Sequence, residues 1–298
     1  MKAVLYLLLI ALSIVGCSDD RKKVKEDILV GEMKVVVDET VLPIFLEQKE
    51  VFESSYYNAK IVPVDTAEVN AINSLLAGDA SIAFLTRHLT EEENKSFKER
   101  SITPRIYEVA HDAIVLISNR SSADTSVTIN EIVDLLKGKE KSSFTLVFDN
   151  LNSSILRYFR DLGKLAKVAN TNVTAVNNSE EVLKLVASSN DKVGLISYNQ
   201  YLSLARTFSE IDKIRILSVL NESLATPKYV KPSQASLSTE EYPLKRTIYV
   251  LNYQPNLGLG IGFSSFMTGD RGQRIVLKSG LLPATMPGRE LIIRDGFN

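Results

Sequence analysis

Short apolar runs alternate with amphipathic stretches along most of this sequence. The first predicted strands are Met33–Val37, Lys60–Val64 and Ser81–Leu85. Helices are predicted from about Val41, where Val41, Phe45 and Phe52 share one face, and over Glu68–Leu76. A capping box at Thr90–Glu93 begins a charged helix. Strands that alternate with helices in this way indicate parallel sheet with helices on both faces, so we expect an α/β fold.

The same alternation continues through the rest of the chain. Further strands are predicted at Arg105–Ala110, Ala113–Ser118, Thr145–Phe148, Val193–Ile196 and Arg246–Leu251. Further helices are predicted at Ile129–Leu136, Ser154–Leu162, Glu180–Ala187, about Phe263–Met267 and Gly272–Lys278. We interpret the pattern as two α/β lobes. The predicted division is 33–112 for the first part of lobe 1, 113–244 for lobe 2 and 245–298 for the completion of lobe 1.

The N-terminus has the form of an export signal. Met1-Lys2 is basic, and the apolar run Ala3–Val15 is too short to cross a bilayer as a helix. The ending Ile14-Val15-Gly16-Cys17 resembles a bacterial lipobox, which predicts removal of residues 1–16 and acylation of Cys17. Residues 17–32 would then be a tether, and the protein would be lipid-anchored in the cell envelope, on the periplasmic face. The alternative is an ordinary secretory signal.

Composition argues against several classes of function. The formal net charge of -1 does not favour nucleic acid or an anionic membrane surface. Two His and one Cys give little support to a zinc site, a disulfide framework or a cysteine nucleophile. The glycines of Gly258–Gly262 lack the spacing of a dinucleotide-binding loop. His88 and His111 have no nucleophile or metal-ligand motif near them in the sequence. We therefore expect that the protein is not an enzyme and that it binds no cofactor and no metal ion.

Four strand-to-helix junctions carry hydroxyl residues or arginine. They are Glu39-Thr40-Val41, Asp65-Thr66-Ala67, Thr86-Arg87-His88 and Asn152-Ser153-Ser154. Ligands of open α/β sheets bind beyond the carboxyl ends of the strands, and helix N-termini there suit anions. Arg87 and Arg157 are the predicted cations. The alternatives are simple helix capping at the junctions, and ion pairs of Arg87 with Glu91 and of Arg157 with Asp161.

Several stretches together resemble a known family. They are "SIAFLTRHLT", "VAHDAIVLISN", "NSSILRYFRD", "YPLKRTIYV" and "GFSSFMTGDRGQRIVLKSGLLPA", in this order. Over about Lys34–Ala284 they resemble the phosphate-binding proteins of Pst-type ABC transporters, in a lipoprotein-anchored, Bacteroidetes-like branch. The resemblance implies the type II periplasmic-binding-protein fold: two Rossmann-like lobes joined by two crossing strands, with a ligand cleft between them.

The resemblance also assigns candidate ligand residues. The family's first ligand loop matches Glu39-Thr40, its Ser-Arg pair matches Thr86-Arg87, and its Ser-Gly-Thr loop matches Asn152–Ser154. Three departures stand out: the usual Arg before the last loop falls near Phe148, a Gly-rich loop becomes Asp65–Glu68, and the usual Asp has no clear counterpart. The full predicted set is Glu39, Thr40, Val41, Thr66, Thr86, Arg87, Asn152, Ser153, Ser154 and Arg157.

These expectations lead to one hypothesis and two alternatives. The chain is expected to be a monomer that captures inorganic phosphate and delivers it to an ABC permease in the inner membrane. The alternatives are a receptor for sulfate, molybdate or a phosphorylated organic molecule, and a ligand-free lobed lipoprotein used for adhesion or assembly. We further hypothesise that Glu39 accepts a hydrogen bond from the protonated oxygen of phosphate, which sulfate cannot offer.

Overall fold

The computed structural model describes residues 27–139, 143–169 and 171–288. The predicted signal peptide 1–16, Cys17 and most of the predicted tether lie outside the described residues. Within the described ranges, no helix combines the length and the apolar character needed to cross a membrane.

The first lobe begins with three parallel strands and three helices. The strands are β1 (Gly31–Asp38), β2 (Ala59–Thr66) and β3 (Ile82–Leu85), and β1 lies between the other two. The helices are α1 (Leu42–Ser55), α2 (Glu68–Ala77) and α3 (Glu91–Glu99). A 3-10 turn, Glu39–Val41, links β1 to α1. The predicted parallel arrangement is therefore present.

Local chemistry sets the ends of these helices. Pro43 lies in the first turn of α1, where its missing N–H costs no helical hydrogen bond. Gly78 ends α2 with a left-handed φ of 86°, which favours glycine. Thr90 and Glu93 form the predicted capping box of α3, each accepting from the other's backbone N–H.

The apolar face of α1 packs into the core of the first lobe. Phe45 and Phe52 are fully buried, and their rings lie 5.6 and 5.0 Å from the ring of Phe263. Edge-on and tilted contacts of this kind add to the free energy gained from burial. Phe263 belongs to the C-terminal segment, so that segment packs against the core of the first lobe, in support of the proposal that it completes this lobe.

Two strands connect the lobes. β4 (Arg105–Asn119) pairs with β12 (Lys245–Asn252) through its first half and with β8 (Lys192–Ser197) through its second half. The sequence predicted two strands here, broken at His111-Asp112; that prediction is wrong, because both residues stay in the ladder opposite Thr247 and Arg246. The change of pairing partner along β4 supports our proposal that the lobe boundary lies between residues 112 and 113.

The second lobe repeats the strand-and-helix alternation. In chain order it contains β5 (Ser126–Val127), α4 (Ile129–Leu136), β6 (Thr145–Phe148), α5 (Ser154–Leu162), β7 (Val173–Ala175), α6 (Ser179–Ser188), β8, α7 (Tyr198–Leu204), β9 (Ile214–Ile216), β10 (Ser218–Asn221), β11 (Lys228–Val230) and α8 (Gln234–Ser238). β6 runs parallel to β7 and β8, while β10 pairs with β5 and β11 in a separate small sheet.

The chain then returns to the first lobe. After β12 it forms α9 (Leu259–Thr268), α10 (Asp270–Lys278) and β13 (Leu282–Pro283), which pairs with β4. The main sheet has the order β2-β1-β3-β12-β4-β8-β6-β7. Because the N-termini of α1, α2 and α5 follow strands of this sheet, all three point toward the junction of the lobes.

Candidate anion-binding site

Two of the predicted junctions meet at the interface of the lobes. Thr40 lies in the 3-10 turn before α1, and Ser154 is the first residue of α5. Their hydroxyl oxygens are 3.1 Å apart, and both residues are fully buried. The structure therefore joins the first-lobe and second-lobe hydroxyls that the sequence predicted to share a ligand.

A buried arginine from a connecting strand reaches both hydroxyls. Arg246 of β12 donates to Ser154 Oγ and to Thr40 Oγ1, each at 3.0 Å. Its Nε donates to Asp112 Oδ2 at 2.9 Å, and Asp112 also accepts from Ser197 Oγ and from the backbone N–H of Asn199. Asp112 thus fixes the orientation of a guanidinium that touches both lobes.

Arg246 and Asp112 were missing from the predicted site. Arg246 lies in "YPLKRTIYV", and Asp112 lies in "VAHDAIVLISN"; both stretches carried the family resemblance without a residue role. The available signal was a charged residue at the start of an apolar predicted strand or immediately before one. Such a residue is expected to be paired when it is buried.

The two predicted cations meet at a second cluster close by. Glu68, the first residue of α2, is 1% exposed. Its carboxylate accepts from Arg157 Nε at 2.6 Å and from Arg87 Nε at 3.2 Å. Arg157 also donates to Glu68 Oε2 at 3.2 Å, and Thr86 Oγ1 donates to the same oxygen at 3.3 Å. The sequence predicted Arg87, Arg157 and Thr86 but not the buried carboxylate between them.

Each arginine has a further carboxylate on its outer side. Arg87 donates to both carboxylate oxygens of Glu93, at 2.7 and 2.8 Å, and this contact lowers the pKa of Glu93 to about 2. The alternative pair of Arg87 with Glu91 is wrong, since Glu91 pairs with Lys98. The alternative pair of Arg157 with Asp161 is confirmed at 3.0 Å, alongside the contact with Glu68.

Acidic side chains lie next to the Thr40–Ser154 contact. Burial and the nearby Asp149 and Asp38 carboxylates raise the pKa of Glu39 to about 7. Burial also raises the pKa of Asp149 to about 6. Oδ2 of Asp38 and Oδ2 of Asp149 are buried and have no hydrogen-bond partner within the described residues. These oxygens are acceptors that a proton-bearing ligand can satisfy.

Glu39 itself bridges the lobes. Its carboxylate accepts from the side-chain amide of Asn150 in the second lobe, and its backbone carbonyl accepts from Gln200 Nε2 at 2.5 Å. The structure thus places Glu39 at the interface predicted for it. Its role toward a ligand stays a prediction.

The remaining predicted residues have mainly structural contacts. Val41 is a core residue, and Thr66, the last residue of β2, accepts from the side chain of Asn70 in the first turn of α2. Ser153 caps α5 by accepting from the N–H of Ile155 at 3.1 Å, as the capping alternative foresaw. Asn152 donates its N–H to Asn150 Oδ1 at 2.7 Å.

Two hollows lie beside Arg87 and Arg157. One, of about 580 Å³, is lined by residues that include Thr86, Arg87, His88, Arg157, Arg246 and Tyr249. The other, of about 320 Å³, is lined by residues that include Glu68, Arg87, Asn152, Ser153, Arg157 and Asp161. Solvent ions therefore have access to both guanidinium groups. Within the described part of the chain, no group of three His, Cys, Asp or Glu is arranged to hold a metal ion.

Comparisons with known proteins agree with this architecture. A model of the PBP superfamily domain matches residues 25–271. The phosphate-binding protein PstS of Staphylococcus epidermidis is 19% identical over 275 residues, covering 87% of this chain and 79% of that protein. An ABC-type phosphate transport receptor from Vibrio cholerae has a TM-score of 0.64 at 17% identity and covers 85% of this chain and 100% of its own.

A further solved structure is similar at the level of the fold. PstS from Borrelia burgdorferi has a TM-score of 0.54 at 21% identity, covering 85% of this chain and 98% of its own. These likenesses confirm the predicted type II periplasmic-binding-protein fold. They also agree with a binding protein rather than an enzyme. The chain belongs to the PBP superfamily, and its predicted resemblance to PstS is confirmed.

Proposed function

We propose that this protein binds inorganic phosphate between its lobes and delivers it to an ABC permease while anchored through a lipid at Cys17. The observation that carries the proposal is the contact of the Arg246 guanidinium with one hydroxyl from each lobe, at Thr40 and Ser154. Hydroxyls at the start of helices beside a fixed guanidinium suit an oxyanion. The names of the relatives, as phosphate-binding proteins, support phosphate as that anion.

Binding at this point requires the lobes to move. Thr40 Oγ1 and Ser154 Oγ are in direct contact at 3.1 Å, so an oxyanion enters between them only if they separate. Each hydroxyl then donates to the anion, and charge-assisted bonds to an oxyanion are stronger than the hydroxyl–hydroxyl bond that they replace. Lobe movement is thus coupled to ligand capture, which is the signal that a permease can read.

The acidic side chains favour phosphate over fully deprotonated anions. Near neutral pH phosphate keeps at least one proton, whereas sulfate has none. Asp38 Oδ2 and Asp149 Oδ2 are buried acceptors beside the site, and a protonated phosphate oxygen can donate to an acceptor of this kind. Sulfate would place only lone pairs against them, at an electrostatic cost.

One observation favours the ligand-free alternative. The Glu68 carboxylate already pairs with Arg87 and Arg157, and this contact links the lobes within the chain itself. A lobed lipoprotein used for adhesion or assembly would keep such a contact permanently. Native mass spectrometry of the purified protein separates the two functions, because only a phosphate receptor retains the mass of one phosphate ion.

Thermal unfolding with added anions tests the proposal. A ligand that binds only the folded state raises the melting temperature by mass action, so phosphate should raise it and chloride at equal ionic strength should not. Ser154→Ala should reduce the shift produced by phosphate. Thr128→Ala is the matched control: it removes the cap of α4, outside the candidate site, which is worth about 1 kcal/mol, but it should keep the shift. Equal shifts from phosphate and chloride would refute the proposal.

A further inference from the structure

Glu68 has the environment of a bound anion. Its carboxylate lies at the N-terminus of α2, where Ala67 offers no side-chain cap and the helix dipole favours negative charge. It is almost fully buried, and it accepts hydrogen bonds from the Thr86 hydroxyl and from the Arg87 and Arg157 guanidinium groups. These donors are the ones that an oxyanion in this part of the cleft would use.

The contact also spans the two lobes. Glu68, Thr86 and Arg87 belong to the first lobe, while Arg157 lies in the first turn of α5 in the second lobe. The Arg157 Nε–Glu68 Oε1 distance of 2.6 Å is short for a charge-assisted hydrogen bond. Asp161, the other carboxylate on Arg157, is 63% exposed and lies on the helix of Arg157 itself. Among the carboxylates of the described residues, Glu68 is therefore the one that ties this guanidinium across the cleft, beside a weaker 3.4 Å contact from Arg157 to Thr86 Oγ1.

We propose that Glu68 is an intramolecular competitor of phosphate, which must displace its carboxylate from Arg157 and Arg87 before these cations bind the ligand. The inference rests on the proposed function and adds Glu68 as a residue that lowers the observed affinity for phosphate. The hollow of about 320 Å³ beside Glu68 gives an incoming anion access to the shared guanidinium groups. The observed affinity is then the intrinsic affinity reduced by the fraction of molecules in which Glu68 has released the arginines.

Calorimetric titration of the full chain with inorganic phosphate tests this inference. Glu68→Gln keeps the size of the side chain and removes its charge, and it should tighten phosphate binding by about tenfold or more. Glu68→Asp keeps the charge but shortens the reach, so its affinity should fall between those of wild type and Glu68→Gln. Asp161→Asn is the matched control, because it also converts a carboxylate on Arg157 to an amide, and its affinity should change by less than about threefold.

The possible results separate the inference from the proposed function. If wild type binds phosphate and both Glu68 variants bind it with the same or weaker affinity, the competitor role is overturned. The proposed phosphate-receptor function would remain. No phosphate binding by wild type or by either variant would overturn both. Tighter binding in Asp161→Asn equal to that in Glu68→Gln would also overturn the role, because charge alone would then explain the effect.

A kinetic measurement on the wild-type chain keeps the test independent of how the variants fold. If Glu68 must first leave the arginines, the observed association rate in stopped-flow mixing should reach a plateau as phosphate is raised. The plateau is the rate of the opening step, which also includes the separation of Thr40 from Ser154. A rate that rises linearly over the whole accessible range of phosphate concentration would contradict displacement as a separate step.

Discussion

Arg157 of the second lobe donates to Glu68 of the first lobe through a contact of 2.6 Å. Arg157 was expected to bind an anion from solution, yet its closest acidic partner is the Glu68 carboxylate of the chain itself. Arg246 is likewise held by Asp112 while it touches Thr40 and Ser154. The cations of the cleft are therefore positioned by the chain's own carboxylates, and our proposal is that phosphate exchanges with the Glu68 contacts.

The Arg246–Asp112 pair should dominate the stability of the lobe junction. Arg246→Gln should lower the free energy of unfolding by about 3 kcal/mol, because it leaves a buried carboxylate without its charge partner. Urea unfolding measures the change. Arg206→Gln is the control: it removes an exposed guanidinium 3.9 Å from Glu47 and should cost less than about 0.5 kcal/mol.

A double variant distinguishes lost charge pairing from lost packing. Adding Asp112→Asn to Arg246→Gln removes the unpaired charge and should recover part of the stability. The two substitutions should then be non-additive, as expected for residues in direct contact. Purely additive losses would show that the two residues do not stabilise the fold as a pair.

Asp149 should make the fold less stable as the pH rises. Its pKa is raised from 3.8 to about 6, so the folded chain binds more protons than the unfolded chain between these values. Because of this group, the free energy of unfolding should fall by about 2–3 kcal/mol as the pH rises through this window. Above the window, the contribution of Asp149 should stay constant.

The variant Asp149→Asn isolates this contribution. The amide imitates the neutral acid, so its stability advantage over wild type should grow between about pH 4 and about pH 6. Comparing the two proteins at each pH cancels the contribution of His111 to the pH dependence of stability. Burial lowers the pKa of His111, so its contribution has the opposite sign. A difference in stability that does not change with pH would contradict the assignment.

Glu39 should contribute to discrimination between phosphate and sulfate. Its pKa is raised to about 7, so the ionised acceptor form becomes dominant only above neutral pH. The preference of the wild type for phosphate should thus be larger at about pH 8 than at about pH 6. Glu39→Gln should reduce the preference by about tenfold at the higher pH, equivalent to ~1.4 kcal/mol.

Competition titrations with both anions measure this preference. The variant should also show little change of the preference with pH, since its amide does not titrate. Asn150→Ala is the comparison variant: it keeps the Glu39 carboxylate but removes a hydrogen bond that lowers its pKa, so the preference should persist and develop at a higher pH than in wild type. An unchanged ratio in Glu39→Gln would show that this side chain plays no part in selection.

The regular elements were predictable because each depends on nearby residues. Helix α4 was predicted over the residues that it occupies, and the Thr90–Glu93 capping box was correct, since apolar spacing and capping are local properties. Strands such as β7 and β11 were not predicted. They have three residues each, and these residues are partly buried or exposed, so no periodic pattern of apolar residues could reveal them.

The site was only half predictable for a different physical reason. Hydroxyls at helix starts carry a local signal, and Thr40 and Ser154 were found in this way. Arg246 meets Thr40 across 206 positions of sequence, and Glu68 meets Arg157 across 89. The sequence indicated Glu68 only as an acid at a helix start, which is usually solvated. Its burial depends on the packing of two lobes, which no local pattern records.

The most direct test of phosphate binding between the lobes is a calorimetric titration of the purified full chain with inorganic phosphate. Sulfate and chloride at matched ionic strength serve as comparisons, and Ser154→Ala is titrated in parallel. We expect saturable binding of one phosphate per chain, weaker by about tenfold or more in Ser154→Ala. Binding heats from phosphate that are no different from those of chloride would contradict it.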